Sequence, residues 1–356
     1  MKIIHFAVEN FAQVPSQFVK AERALGHESM LVTLYPSRHR HREEDLCLNV
    51  PFVRVPWVQK LKGKPTYVPS EKRRMPDQVP PVWSPSHRIT QWAFRFRDWI
   101  WKRKIKPMLH RLQWDTVDIL FLDGGMGFLR YDPFIPQLKE KGIKIVVGYY
   151  GSDLRTRGII PEIDQLADYR FTVEFDHTLL YPGIDFVFFP FQLPEFPEPE
   201  PFSHSRIRIG HSPTHRGIKG TEIILKALIQ LQAHYPIEIV LIENLPYLQA
   251  LALKKTCDLF VDCIGELGYG VSALEAMAMG IPTAVEILPD FEKVLGDHPF
   301  INISKDTLAE KLIPFIQSET LRKTWGRKSQ EWVKKMHDPI KVTQSVLAKV
   351  VGEASL

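Results

Sequence analysis

The chain has 356 residues, 44% of them apolar and 24% charged, with a formal net charge of +5. These fractions are those of a globular protein rather than a disordered or fibrous one, and the length suffices for two domains with substantial cores. Three cysteines (Cys47, Cys257, Cys263) exclude a disulfide framework and a four-ligand zinc site, no uncharged run reaches the roughly 18 residues of a membrane span, and the N-terminus turns polar too early for a signal peptide.

Residues 2–8 read as a buried strand, 15–25 as a helix ended by Gly26, and 30–34 as a second strand. The loop at the first strand's carboxyl end offers Asn10, Gln13 and Ser16 to an acceptor or a phosphate. His39-x-His41 lies among arginines, whose repulsion weakens metal binding, so no metal site is expected there.

Residues 51–110 hold 14 Lys and Arg against three acids, leaving the rest of the chain at −6, and contain five of the eight tryptophans and nine of the 28 prolines. At 100° per residue Trp92, Phe96, Trp99 and Ile100 form one apolar helix face and Phe94, Trp101, Ile105 and Met108 an opposed one, with basic residues between. One face can pack against the first domain. For the other, an anionic membrane surface contacting residues 88–108 suits Trp beside Lys and Arg; the alternative is that both faces are buried under the proline-rich loops. No recognition module for nucleic acid accompanies the charge.

Strand patterns follow at 117–122 and 143–149, with a helix around 136–141 between them and shorter apolar runs at 170–173 and 185–190. Asp123-Gly-Gly-Met-Gly127 forms a loop that presents Gly125. Tyr149-Tyr150-Gly151-Ser152-Asp153 ends a strand and presents Tyr150 and Asp153, although Gly-Ser-Asp is also simply a turn. The acidic, proline-rich run 195–201 reads as a linker.

A second alternation occupies strands 207–211, 237–242, 259–263 and 283–286, with helices at 221–232, 246–255, 272–279, 307–316, 319–336 and 339–351. The predicted architecture is α/β: two doubly wound Rossmann-like domains facing a cleft, 1–195 and 196–336, with residues 337–356 packing back toward the first. Ligands in such sheets sit beyond the carboxyl ends of the strands. A reducing cytoplasm is the expected location, with peripheral attachment to the inner face of a membrane as a further possibility.

Two loops carry the chemistry. Gly268-Tyr269-Gly270-Val271-Ser272 opens a helix, where free N–H groups and the helix dipole make an anion site, and Glu275 lies one turn inside, placed to accept bonds from sugar hydroxyls. Ser272-x-x-Glu275 also fits a capping box. Gly268-x-Gly270-x-x-Ala273 fits a dinucleotide fingerprint with Glu286 as its ribose acid, although four residues separate it from the strand. The second loop, His211-Ser-Pro-Thr-His-Arg216-Gly-Ile-Lys219-Gly-Thr221, sets two cations before a helix. There is no Asp-x-Asp, Gly-x-Ser-x-Gly or P-loop.

The stretch from Leu267 to Pro282 resembles the donor motif of retaining, GT-B fold glycosyltransferases of family 4, Glu-Gly-Phe-Gly followed by Glu-Ala-Met-Ala-x-Gly-x-Pro. The Arg216 loop, with Leu241-Ile-Glu243-x-x-Pro246, is similar to a bacterial subgroup of that family. The resemblance implies that Arg216 and Lys219 neutralise the donor diphosphate, and that Glu275 holds the nucleotide ribose. Gly268 to Ser272, Glu243 and Pro246 fall on the donor side, and Tyr150 replaces a histidine near the donor sugar. The motif's first glutamate is missing: Leu267 stands in its place, with Glu266 one position early. The implied activity is metal-independent transfer, without cofactor, from a nucleoside-diphosphate sugar to a glycan or lipid-linked acceptor of a cell-surface polysaccharide. A catalytically silent donor-binding protein and a nicotinamide-dependent enzyme remain as alternatives.

Overall fold

The computed structural model describes residues 1–37, 43–51, 80–85, 87–151, 153–197, 205–265 and 268–352. His39, His41, Ser152, Glu266, Leu267, residues 52–79 of the basic insert and residues 198–201 of the linker lie outside that set. The chain forms two compact units, Met1–Pro190 together with Pro339–Leu356, and Phe191–Asp338.

Unit 1 is built on seven parallel strands: β1 (Lys2–Ala7), β2 (Glu28–Thr33), β3 (Leu46–Cys47), β4 (Ile119–Asp123), β5 (Lys144–Tyr149), β6 (Tyr169–Thr172) and β7 (Asp185–Phe186). Their order is β3-β2-β1-β4-β5-β6-β7. The central strands are near-continuous apolar runs because both faces of the sheet are covered. Alternate residues of β1 serve the two sides. Ile4 and Phe6 join the core containing Trp101, Ile105 and Met108 of helix Arg88–Arg111. Ile3 packs with Val14 and Phe18 of helix Val14–Ala24 and with Val342, Val346, Leu347 and Val350 of helix Pro339–Val351. The sheet order reverses direction between β1 and β4, so the loops leaving these two strands flank the topological switch point.

Unit 2 repeats the plan with β8 (Ile207–His211), β9 (Ile237–Leu241), β10 (Leu259–Val261), β11 (Thr283–Val285) and β12 (Ile301–Asn302), in the order β12-β11-β10-β8-β9. All pairings are parallel. Its core joins Ile209, Leu259, Val261 and Ala284 of the sheet to Ile224 and Leu228 of helix Thr221–Gln232 and Leu308 and Leu312 of helix Leu308–Gln317. Here the switch point falls between β8 and β10, and the two loops singled out in the sequence follow those two strands.

For the basic insert, the alternative of two buried helix faces is the reading that fails. The faces of helix Arg88–Arg111 are not both buried: Trp101, Ile105 and Met108 are, whereas Trp92 is 74% exposed, Phe96 53% and Trp99 55%. Among the described residues no helix is long and apolar enough to cross a membrane.

Candidate functional site

In unit 2 the loop after β8 is fixed by His211. Its Nδ1 faces the carbonyl of Val261 at 2.8 Å and its Nε2 faces the Thr221 hydroxyl at 2.9 Å. A carbonyl only accepts, so Nδ1 carries the proton and Nε2 accepts from Thr221. Burial holds this imidazole below its ordinary pKa, in keeping with a neutral ring. Residues Arg216–Lys219 form a short helix that ends at Gly220, with φ +64°. A Cβ there would strike the Ile264 carbonyl, so only glycine brings this loop so close to the end of β10. The Ile264 N–H donates to the Lys219 carbonyl at 3.2 Å.

That approach delivers Lys219 to the second loop. Its Nζ lies 2.7 Å from Asp262 Oδ1, and the Gly270 N–H donates to Oδ2 of the same carboxylate at 3.0 Å. Gly270 caps helix Val271–Ala278. Lys219 and the positive end of the helix therefore converge on one buried acid. Burial alone would raise Asp262, but Lys219 and the Gly270 N–H outweigh it and hold the carboxyl below its usual range. Arg216 is more exposed and donates to Glu222 at 2.8 Å and to Glu243 at 2.8 Å. Two cations and a helix N-terminus thus border one region of unit 2, an arrangement suited to a polyanion.

Glu275 does not take the capping-box role that the sequence offers. Gly270, not Ser272, is the N-cap, and no side chain caps that end. The Ser272 hydroxyl accepts from Lys254 Nζ at 2.8 Å. One Glu275 oxygen is paired with Lys254, and the other accepts from the Tyr247 hydroxyl at 2.9 Å. The capping box does not form, because helix entry begins two residues earlier and Lys254 reaches up from helix Tyr247–Lys255 to take both partners. Tyr269 contributes backbone rather than ring: its ring stacks on Phe291 and Phe300, and its hydroxyl lies 3.2 Å from His337 Nε2. Glu243 and Pro246 follow the carboxyl end of β9, Pro246 as the cap of helix Tyr247–Lys255.

In unit 1 the expected residues all lie at the carboxyl ends of β1, β4 and β5, but several point inward. Asn10 and Ser16 are buried and bind each other, Asn10 Nδ2 donating to Ser16 Oγ at 3.0 Å. They hold a loop in which Ala12 (φ 48°) and Gln13 (φ 63°) are both left-handed, a strain of the kind that clusters at functional sites. Gly125, at φ +63°, lies where a Cβ would meet the Tyr149 ring. Asp153 accepts the Tyr150 N–H at 3.1 Å. Tyr150 needs the largest correction. Its phenol is buried and donates to Asp123 at 2.6 Å, so the side chain faces the interior of unit 1 and offers nothing to a donor sugar as it stands. Asp123 in turn accepts from His5 Nδ1 at 2.8 Å, and Glu22 accepts from His5 Nε2 at 3.1 Å.

Asp262, Lys254 and Tyr247 escaped the sequence reading. Asp262 had a signal, an acid closing a strand just before a glycine-rich loop. Lys254 had none, since nothing separates it from Lys255 along the helix. Among the described residues no group of three His, Cys, Asp or Glu side chains is arranged to hold a metal ion.

A scan against protein-family models gives no match, and no curated protein matches the sequence. Solved structures do resemble it along its whole length. Sucrose-phosphate synthase from Thermosynechococcus elongatus superimposes with a TM-score of 0.58 at 11% identity, covering 97% of each chain. Anabaena HepE, solved with UDP, gives 0.56 at 11% identity over 100% of both chains. UDP-GlcNAc 2-epimerase from Neisseria meningitidis, bound to UDP-GlcNAc, gives 0.52 at 12% identity over 99% of this chain and 100% of that one. At such identities the likeness is one of fold: the chain has the GT-B fold, with two doubly wound Rossmann-like domains.

Proposed function

We propose that this chain is a glycosyltransferase that takes a sugar from a nucleoside-diphosphate donor bound in unit 2. The observation that carries the reading is the shared Asp262, which sets Lys219 Nζ and the Gly270 amide side by side at the N-terminus of helix Val271–Ala278. In the proposed complex the donor diphosphate takes up Lys219, Arg216 and the amides from Gly268 to Ser272. Glu275, aimed by Tyr247 and Lys254, accepts from the ribose, and Glu243 and Pro246 complete the donor side. The solved structures of like fold include proteins holding UDP and UDP-GlcNAc, which makes uridine diphosphate the first nucleotide to test.

Transfer on this reading is retaining and needs no metal, because the clamp cations offset the leaving diphosphate and its oxygen takes the acceptor proton. Asn10, Gln13, Ser16, Gly125 and Asp153 mark the acceptor-side loops, for a glycan or lipid-linked acceptor of a cell-surface polysaccharide. The exposed Trp92, Phe96 and Trp99 of helix Arg88–Arg111 hold an anionic membrane surface. The inward phenol of Tyr150 favours a second reading, a protein that binds the donor without transferring it.

Calorimetric titration with UDP and other nucleoside diphosphates tests the donor site, and the absence of saturable binding overturns it. Incubation with the sugar form of whichever nucleotide binds then separates the two readings. Sugar transfer or donor hydrolysis supports an enzyme, and an intact donor supports the silent binder.

A further inference from the structure

Arg130 carries its charge into unit 1 without a counter-ion of its own. The residue is nine-tenths buried, at 9% exposure, and neither Nε nor Nη1 meets a hydrogen-bond acceptor. The guanidinium lies 4.6 Å from the ring centre of Trp83 and 5.4 Å from that of Phe94. Aromatic faces attract a cation, but they do not replace an oxygen as acceptor for its N–H groups. The nearby acids are committed elsewhere. Asp98 accepts from Arg97 and from the Tyr131 N–H. Asp132 accepts the N–H groups of Leu129 and Phe134, and Asp153 faces Arg157 at 3.8 Å.

Positive charge gathers around this residue. Arg97 lies over the same Phe94 ring at 4.8 Å, and Arg157 donates to the Gly124 carbonyl in the loop that leads to Arg130. Burial, then the charges of Arg157 and Arg97, lowers Arg130 to about 9, which still leaves it protonated at neutral pH. The Tyr131 hydroxyl is also buried with no partner. The place is as telling as the charge. Residues 124–133 leave β4 at its carboxyl end, on the switch point of the unit 1 sheet, where open α/β sheets bind ligands. A buried guanidinium with two of its nitrogens lacking acceptors is costly, and an oxyanion removes that cost.

We infer that Arg130, with Arg97 and Arg157 beside it, is an oxyanion site in unit 1 that takes a phosphate or carboxylate group. Resting on the glycosyl-transfer reading, that group belongs to an acidic acceptor. The planar fork of arginine matches both anions, and the Trp83 and Phe94 rings, which meet edge to face, pack against the guanidinium. The site itself stands on unit 1 alone.

The experiment uses the full chain carrying Arg216→Ala and Lys219→Ala, which removes the proposed diphosphate clamp from unit 2. Inorganic phosphate and, separately, acetate are titrated at constant ionic strength, read by tryptophan fluorescence and by melting temperature. Saturable binding of one anion is expected in this background, and Arg130→Met is expected to weaken it by about tenfold or more. Preference for phosphate assigns a phosphorylated acceptor, and preference for acetate a carboxylated one. UDP affinity of the single Arg130→Met variant is expected to stay at the wild-type value. The proposal is overturned if neither anion binds saturably, or if Arg130→Met binds as tightly as its parent. Should Arg130→Met lose its circular dichroism signal, Arg130→Lys decides: it keeps the charge and loses the fork, and unchanged affinity overturns the proposal. A wild type that binds phosphate through Arg130 but not UDP overturns the donor reading and leaves this one standing.

Discussion

Glu275 has two carboxylate oxygens, and the structure engages both, one with Lys254 and one with Tyr247. Lys254 is only 2% exposed, so removing its counter-ion leaves a buried ammonium with neutral partners alone. Breaking such a pair costs about 3–5 kcal/mol. Glu275→Gln is therefore expected to melt at least about 5 °C lower as well as to bind UDP more weakly. Adding Lys254→Met to Glu275→Gln is expected to restore part of the melting temperature and none of the UDP affinity. Recovery of affinity in the double variant would show that Glu275 serves packing only. Read from the sequence as a capping box, the same Gln substitution predicts no change in melting. The difference traces to Lys254, whose partners are set by how two helices pack and by no local pattern. Arg216 poses a simpler test. It is exposed and tied to Glu222 and Glu243, so Arg216→Ala is expected to leave melting unchanged while weakening UDP binding by about tenfold, measured by calorimetry. Equal affinity in the variant removes Arg216 from the clamp.

At the scale of elements, most strands and helices are legible because each is long enough to show its period. β8 and the helices Thr221–Gln232 and Glu319–Met336 fall where the pattern puts them. The two-residue strands Leu46–Cys47 and Ile301–Asn302 were not readable, since pairing with a neighbour, not alternation, defines them. The site loops were legible as anion sites because glycine and cations preceding a helix have a local physical meaning. The inward turn of Tyr150 was not, because a strand-end side chain is aimed by its partner, here Asp123. Helix Arg88–Arg111 showed both of its apolar faces in the sequence, but only packing decides which one is covered. With Trp92, Phe96 and Trp99 exposed beside Arg95, Lys102 and Arg103, the helix is expected to bind vesicles containing anionic lipid and to release them at high salt. Replacing the three aromatics by serine is expected to weaken co-sedimentation by roughly tenfold or more. Equal sedimentation of variant and wild type, or binding to neutral vesicles alone, overturns the membrane role.

Across the whole molecule, each unit contains a buried charge cluster, and the two clusters respond to pH in opposite directions. In unit 1 both nitrogens of His5 face carboxylates, which only accept, so the ring carries two protons. Burial alone would lower its pKa, but Glu22 and Asp123 push it up to about 10. A group raised on folding stabilises fully below its unfolded pKa, near 6.5, and that contribution is lost as pH rises toward 10. In unit 2 Asp262 is held below the usual carboxylate range, so its contribution is present above the unfolded pKa, near 4, and is lost as pH falls through the folded value. His5→Gln is thus expected to melt well below the wild type at pH 6.5, with the gap closing by pH 10. Lys219→Met leaves Asp262 buried without its cation, so its acid unfolding is expected to begin at higher pH, with the alkaline limb unchanged. Calorimetric scans of both variants from pH 3 to pH 10 check these expectations together. A gap between His5→Gln and wild type that is constant from pH 6.5 to 10 shows that the His5 ring is not the charged partner of Glu22 and Asp123. An unshifted acid limb in Lys219→Met shows that Asp262 is held by other groups, and that Lys219 is not the cation fixed beside the Gly270 amide.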